Sequence, residues 1–119
     1  AQVDIALDSC PYCGTTTTCD ALLMGVPVVT LAGEHHAARV GASLLSAIGL
    51  KDLIARSPDE FVGIAAGLAA DRVRLSALRE SLRSRLASSP LCDAAAYAAR
   101  FQDAMRSVWR DACGRAGKL

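Results

Sequence analysis

The sequence predicts an α/β chain in which a βαβ unit with a small parallel sheet is followed by a helical segment. Three observations lead there. The runs VDIAL, residues 3–7, and PVVTL, residues 27–31, are short, apolar and rich in branched side chains, as buried strands are. The stretch between them holds a glycine, four threonines, the apolar positions Ala21, Leu22 and Met24, and Gly25, which read as a helix with its start and stop. Beyond residue 55, leucines recur at helical spacing between arginines. Strand, helix, strand in this order calls for a parallel pair.

Each element has its own signals. The first strand begins almost at residue 1, and alone it would gain little, so it belongs to a sheet with more strands than two or three. Thr15 or Thr16 supplies a hydroxyl N-cap for the first helix. Pro27 opens the second strand, where a missing N–H is tolerated. Gly33 and Glu34 form a loop, a helix is expected from about His36 to Ile48 with a stop at Gly49, and DLIA is a third, short strand. Ser57, Pro58 and Glu60 have the spacing of a capping box with proline at the first helical position; Phe61, Ile64, Ala65 and Leu68 then share a face. From Asp71, Leu75, Leu78, Leu82 and Leu86 form one stripe and arginines the opposite face. SSPLCD interrupts, and Asp93 caps a last helix whose apolar face is Tyr97, Phe101, Met105, Val108 and Trp109, with a frayed GRAGKL tail. The organisation is a sheet-bearing portion, residues 1–55, and a helical portion, residues 56–119, together the C-terminal part of a larger α/β domain.

Composition narrows the function classes. Hydrophobic residues make up 52% but aromatics only 4%, so the core is expected to be built from tightly packed aliphatic helices. Thirteen basic residues are interspersed among twelve acidic ones for a net charge of +1, which leaves no basic footprint for nucleic acid or anionic lipid. No apolar run approaches the roughly 20 residues of a membrane span, and AQVDIALD lacks the basic head and apolar stretch of a signal peptide. Five cysteines, an odd number without the spacing of a small secreted scaffold, suit a reducing compartment. A cytoplasmic chain is expected.

The loop LDSCPYCGTTTTCDALLMGVP, residues 7–27, holds two competing sites. Cys10-Pro11-Tyr12-Cys13 has the spacing of a thiol redox pair, whose nucleophile needs a helix N-terminus to lower its pKa. Here Gly14 and the threonines separate the dithiol from the helix, so the dipole points at the threonines instead. Cys10, Cys13 and Cys19 with His35 or His36 are too unevenly spaced for the two compact ligand pairs of structural zinc, and no metal is expected. The threonines present N–H and hydroxyl donors where open α/β sheets bind ligands, as a phosphate or diphosphate requires. Asp20, about one turn on, would repel a phosphate but accept hydrogen bonds from a ribose diol. On residues alone, capping of the helix by the threonines explains the same pattern. A helical interaction module remains the non-enzymatic alternative.

These motifs resemble a family. LDSCPYCGTTTTCDALLMGVPVVTLAGEHHAARVGASLL, continuing through GLKDLIARSPDEF to SSPLCD and SVW, is similar to the C-terminal catalytic part of protein O-linked N-acetylglucosamine (O-GlcNAc) transferases, especially the bacterial tetratricopeptide-repeat members. The resemblance implies the Rossmann-like C-terminal portion of a GT-B glycosyltransferase, with UDP-GlcNAc as donor, protein Ser or Thr as acceptor, and no metal or other cofactor. It implies that Gly14, Thr15, Thr16 and Thr17 hold the diphosphate and that Asp20 binds the ribose, although bacterial members often have Glu there. Members tend to have Phe and Asn where this chain has Cys10 and Cys13, so the dithiol reads as two substitutions in a nucleotide loop. The family's essential lysine, its candidate bases and its repeats lie upstream of the matching region. No catalytic residue is therefore assigned in this chain, which is not expected to turn over alone.

Overall fold

A computed structural model describes residues 2–116. Three short strands form one parallel sheet in the order β1-β2-β3: β1 is Ala6–Leu7, β2 is Val28–Leu31 and β3 is Ile54–Ala55. Ala6 lies opposite Val28, and Thr30 opposite Ile54. Helix α1, Thr16–Leu23, connects β1 to β2; α2, Val40–Ala47, connects β2 to β3. Helices α3, Pro58–Ala70, α4, Arg72–Ala87, and α5, Ala94–Ala116, complete the chain.

β2 is the centre of the sheet because, among the described strands, it alone has a neighbour on both sides. Val28 and Val29 are buried there, and α1, α2 and α3 all pack on this strand. α4 lays Leu78, Leu82 and Leu86 against α1 and α3. Leu22, Leu45, Leu50, Leu53, Leu68 and Leu82 are at most 2% exposed, each contributing roughly 1.5–3 kcal/mol of apolar burial. Arg79 of α4 ties down the start of the chain, donating to the carbonyls of Val3 and Asp4 and pairing with the Asp4 carboxylate at 3.2 Å. Gly25 and Gly49 end α1 and α2 with φ of +74° and +76°, where a side chain would be strained.

Five local expectations change. DLIA keeps only Ile54–Ala55 as strand, because Lys51–Leu53 winds into a 3-10 turn. VDIAL shortens to Ala6–Leu7 and is not a buried run, since Val3 and Leu7 are exposed; with β2 on one side only, β1 has little to bury against. The helix expected from His36 to Ile48 is interrupted. His36–Ala38 is a 3-10 turn, and α2 starts at Val40. The carbonyls of Ala37 and Ala38 accept instead from the N–H groups of Cys13 and Gly33, both at 2.9 Å, and so are turned away from an α-helical ladder. In the capping box, Ser57 accepts from the Glu60 N–H at 3.2 Å, but the Glu60 carboxylate reaches the N–H of Arg56 rather than that of Ser57. The tail is helical through Gly114 to Ala116; residues 117–119 of the expected frayed segment lie outside the described residues.

α5 stands apart. Asp93 caps it through the Ala96 N–H at 2.9 Å, as its position predicts. Its 23 residues, about 34 Å long at 1.5 Å per residue, carry Tyr97, Phe101, Met105, Val108 and Trp109, all exposed. The described residues measure 63 × 30 × 19 Å.

Candidate functional site

The site grows from the C-terminal ends of β1 and β2. Directly after β1, the Asp8 carboxylate gathers three donors. Its Oδ1 accepts from the N–H of Gly14 at 2.8 Å and of Ser9 at 3.0 Å, and its Oδ2 accepts from the Thr30 hydroxyl at 2.7 Å. The loop from Ser9 to Gly14 is thereby folded back onto the sheet. The Gly14 carbonyl accepts from the Thr18 hydroxyl at 3.1 Å, so both sides of Gly14 are engaged and the chain enters α1 in one orientation.

Space is as tight as the bonding. A Cβ on Gly14 would sit 2.5 Å from Thr17 Oγ1 and 2.8 Å from Thr18 Oγ1, and one on Gly41, at the start of α2, would overlap Asp8 Oδ2 and Thr30 Oγ1. Glycine at these places lets β1, β2, α1 and α2 meet at one carboxylate.

The four threonines separate into different roles. Thr15 occupies the N-cap position of α1, yet its side chain makes no capping bond. Thr16 and Thr17 are exposed, Thr17 lining a small cleft with Asp8 and Ser9, whereas Thr18 is buried. The first-turn amides of α1 are thus not capped by any threonine side chain. Beside them lies a cavity of about 640 Å³ whose walls include Thr15, His36, Arg39, Val40 and Ser43. Asp20 is exposed one turn into α1, outside that lining. The structure therefore joins Gly14, Thr15, Thr16 and Thr17 at one helix start and sets Asp20 further along the same helix.

Sequence reasoning missed Asp8, Thr30, Gly41 and Arg39, and weighed His36 only as a metal ligand. For His36 and Arg39 a signal existed, because residues following the carboxyl end of a parallel strand line the crevice of an open sheet. Asp8 follows β1 in the same way and carries a charge where VDIAL ends.

The dithiol occupies a different setting from a redox centre. Cys10 is exposed and Cys13 is 2% exposed, its sulfur 3.8 Å from the Thr30 hydroxyl. Both precede the first residue of α1, Thr16, and the helix start faces neither of them through a capping bond. Burial, then the Asp20 carboxylate and then Cys92 push the Cys19 thiol up, which keeps it protonated at neutral pH and a poor metal ligand. Among the described residues, no three His, Cys, Asp or Glu side chains converge as a metal site would require.

Comparison with known proteins identifies the chain. The model of glycosyl transferase family 41 matches residues 1–101. The chain belongs to glycosyl transferase family 41. Relatives include the protein of Petunia hybrida named "Probable UDP-N-acetylglucosamine--peptide N-acetylglucosaminyltransferase SPINDLY", 52% identical over 111 residues, covering 93% of this chain and 12% of the relative. The UDP-N-acetylglucosamine–peptide N-acetylglucosaminyltransferase of Caenorhabditis elegans is 36% identical over 108 residues, 90% of this chain and 9% of its own length. A solved O-GlcNAc transferase mutant of Thermobaculum terrenum superposes with a TM-score of 0.87 at 48% identity, over 95% of this chain and 22% of that one. This family 41 chain thus has the α/β fold of a C-terminal glycosyltransferase portion, and it spans about one eighth of the SPINDLY relative's length.

In the full-length family 41 protein, replacing both Cys10 and Cys13 with serine is expected to leave sugar transfer within a few-fold. A serine hydroxyl fits where the Cys13 sulfur meets Thr30, and Cys10 makes no side-chain hydrogen bond among the described residues. Abolished transfer in a folded double variant would restore the thiol pair to the chemistry.

Proposed function

We propose that this chain is the donor-binding part of a protein O-GlcNAc transferase that uses UDP-GlcNAc and modifies Ser or Thr hydroxyls. The observation that carries the proposal is the start of α1: a helix N-terminus without a side-chain cap, fixed through Gly14 and opening beside a 640 Å³ cavity, in a family 41 chain. The amides and hydroxyls from Gly14 to Thr17 cradle the diphosphate, and the exposed Asp20 carboxylate accepts from the ribose diol. During transfer the acceptor oxygen bonds to the anomeric carbon as the bond to the diphosphate oxygen breaks, inverting that carbon. The electron pair leaves with the diphosphate. N–H donors aimed at that departing charge do the work a divalent cation does elsewhere, and one such donor is worth about 2.7–4 kcal/mol. No metal is needed in this reading. The acceptor's proton passes to a base outside this chain, where the tetratricopeptide repeats and the essential lysine are also placed. An odd count of five cysteines without the spacing of a secreted scaffold supports a cytoplasmic location, and an arginine-rich composition supports a bacterial origin. No described helix is long and apolar enough to cross a membrane.

The test uses the full-length protein with labelled UDP-GlcNAc, other nucleotide sugars in parallel, and an acceptor protein. Label on Ser or Thr from UDP-GlcNAc over many turnovers is expected; transfer from a different nucleotide sugar alone would overturn the donor assignment. Asp20→Ala should weaken UDP binding, since two hydrogen bonds to a charged acceptor are lost at roughly 1.5–3 kcal/mol each at most. Calorimetry showing unchanged affinity would remove Asp20 from the site. Thr16→Val keeps the side-chain shape and deletes one hydroxyl, so kcat should fall more than donor affinity does.

A further inference from the structure

We propose that Asp8 is the positioning residue of the donor site: it does not touch the donor but sets the direction of the α1 amides that do. The inference rests on the donor reading above.

Among the described residues, Asp8 joins the loop before the helix start to the central strand. Oδ1 holds Gly14 at 2.8 Å, two residues before α1, and Oδ2 holds the Thr30 hydroxyl of the central strand at 2.7 Å. Thr30 is 0% exposed and cannot swing away. The carboxylate is only partly buried, and three donors compensate its charge. A direct role in binding a diphosphate is ruled out by like charge, and a role in holding the loop is what its three bonds do.

The geometry dictates which substitutions matter. An asparagine side chain keeps a carbonyl oxygen for Gly14 and Ser9, and its NH2 donates to the Thr30 hydroxyl, which accepts as well as donates. Alanine frees the Gly14 N–H. Thr30→Val removes the Oδ2 bond, together with the weaker 3.8 Å contact to the Cys13 sulfur, and preserves shape.

The experiment compares Asp8→Asn, Asp8→Ala and Thr30→Val in the full-length protein by UDP calorimetry, donor KM and kcat, melting, and amide exchange of residues 9–19. Asp8→Ala is expected to raise the UDP dissociation constant and donor KM by about ten- to a hundredfold, with faster exchange over that segment, and Asp8→Asn to restore both to within about threefold. A purely structural role would lower the melting temperature but leave the donor KM of the folded protein in place. If Asp8→Ala does not fold, Thr30→Val decides, with a donor KM raised about three- to tenfold expected. Unchanged donor affinity in the folded alanine variant, or in Thr30→Val where that variant decides, overturns the inference, as does an asparagine variant as defective as alanine. Wild-type protein that binds no UDP overturns the donor reading and this inference together, which separates that failure from the others.

Discussion

A protein made of these 119 residues alone transfers no sugar: incubated with labelled UDP-GlcNAc and an acceptor protein, it leaves Ser and Thr unlabelled. The chain spans 22% of the solved O-GlcNAc transferase and about an eighth of the SPINDLY relative. In the proposed reading, what it holds is one wall of the donor cleft, the α1 start and the cavity beside it. Fixing donor against acceptor supplies about 7–11 kcal/mol in favourable cases, and one wall cannot hold both reactants. The exposed stripe of α5, from Tyr97 to Trp109, should also make the isolated chain prone to association. Repeated turnovers by the purified chain would sink the argument.

The second large effect is expected at Gly41. Even Gly41→Ala places a Cβ onto Asp8 Oδ2 and Thr30 Oγ1, and 3.0 Å from Thr30 Cβ. Neither neighbour can yield. The carboxylate is held by three hydrogen bonds, and Thr30 belongs to the central strand. α2 must therefore lift from the sheet or the Asp8 bonds must break, for a loss of about 2–4 kcal/mol from overpacking plus a damaged charged hydrogen bond. Gly63→Ala in α3 is the control. Nothing lies within 4 Å of its Cβ, and alanine there should gain about 0.5–1 kcal/mol from helix propensity. Urea midpoints of the full-length variants check both, and a Gly41→Ala protein as stable as wild type would refute the packing account.

Elements written in local chemistry were legible in the sequence. Ser57 and Asp93 cap their helices as their positions predict, because a cap needs only the next three residues. The leucines of α4 face the core for the same reason, a period contained in the helix itself. The split at Arg39 was not legible, since it depends on the Ala38 carbonyl turning back to Gly33 and the Ala37 carbonyl meeting Cys13 from across the fold. Asp8 escaped notice because its partners, Gly14 and Thr30, lie 6 and 22 residues away and meet only once the sheet has formed. The threonine run marked the helix start correctly, but which threonine lines the cavity and which turns inward was decided by packing around Gly14.

At the far end of α1, the close fit at Gly25 has a consequence for charge. A Cβ there would stand 2.9 Å from the Arg79 carbonyl oxygen of α4, and the Val26 N–H closes back on the Ala21 carbonyl at 2.8 Å. With Asp8 fixing the loop before it, α1 is a strut pinned at both ends. Water around a newly formed anion must turn its dipoles toward the charge, and that turning costs free energy each time. The peptide dipoles of a pinned strut are aligned before any anion arrives, so charge appearing at its tip meets an environment with little left to reorganise.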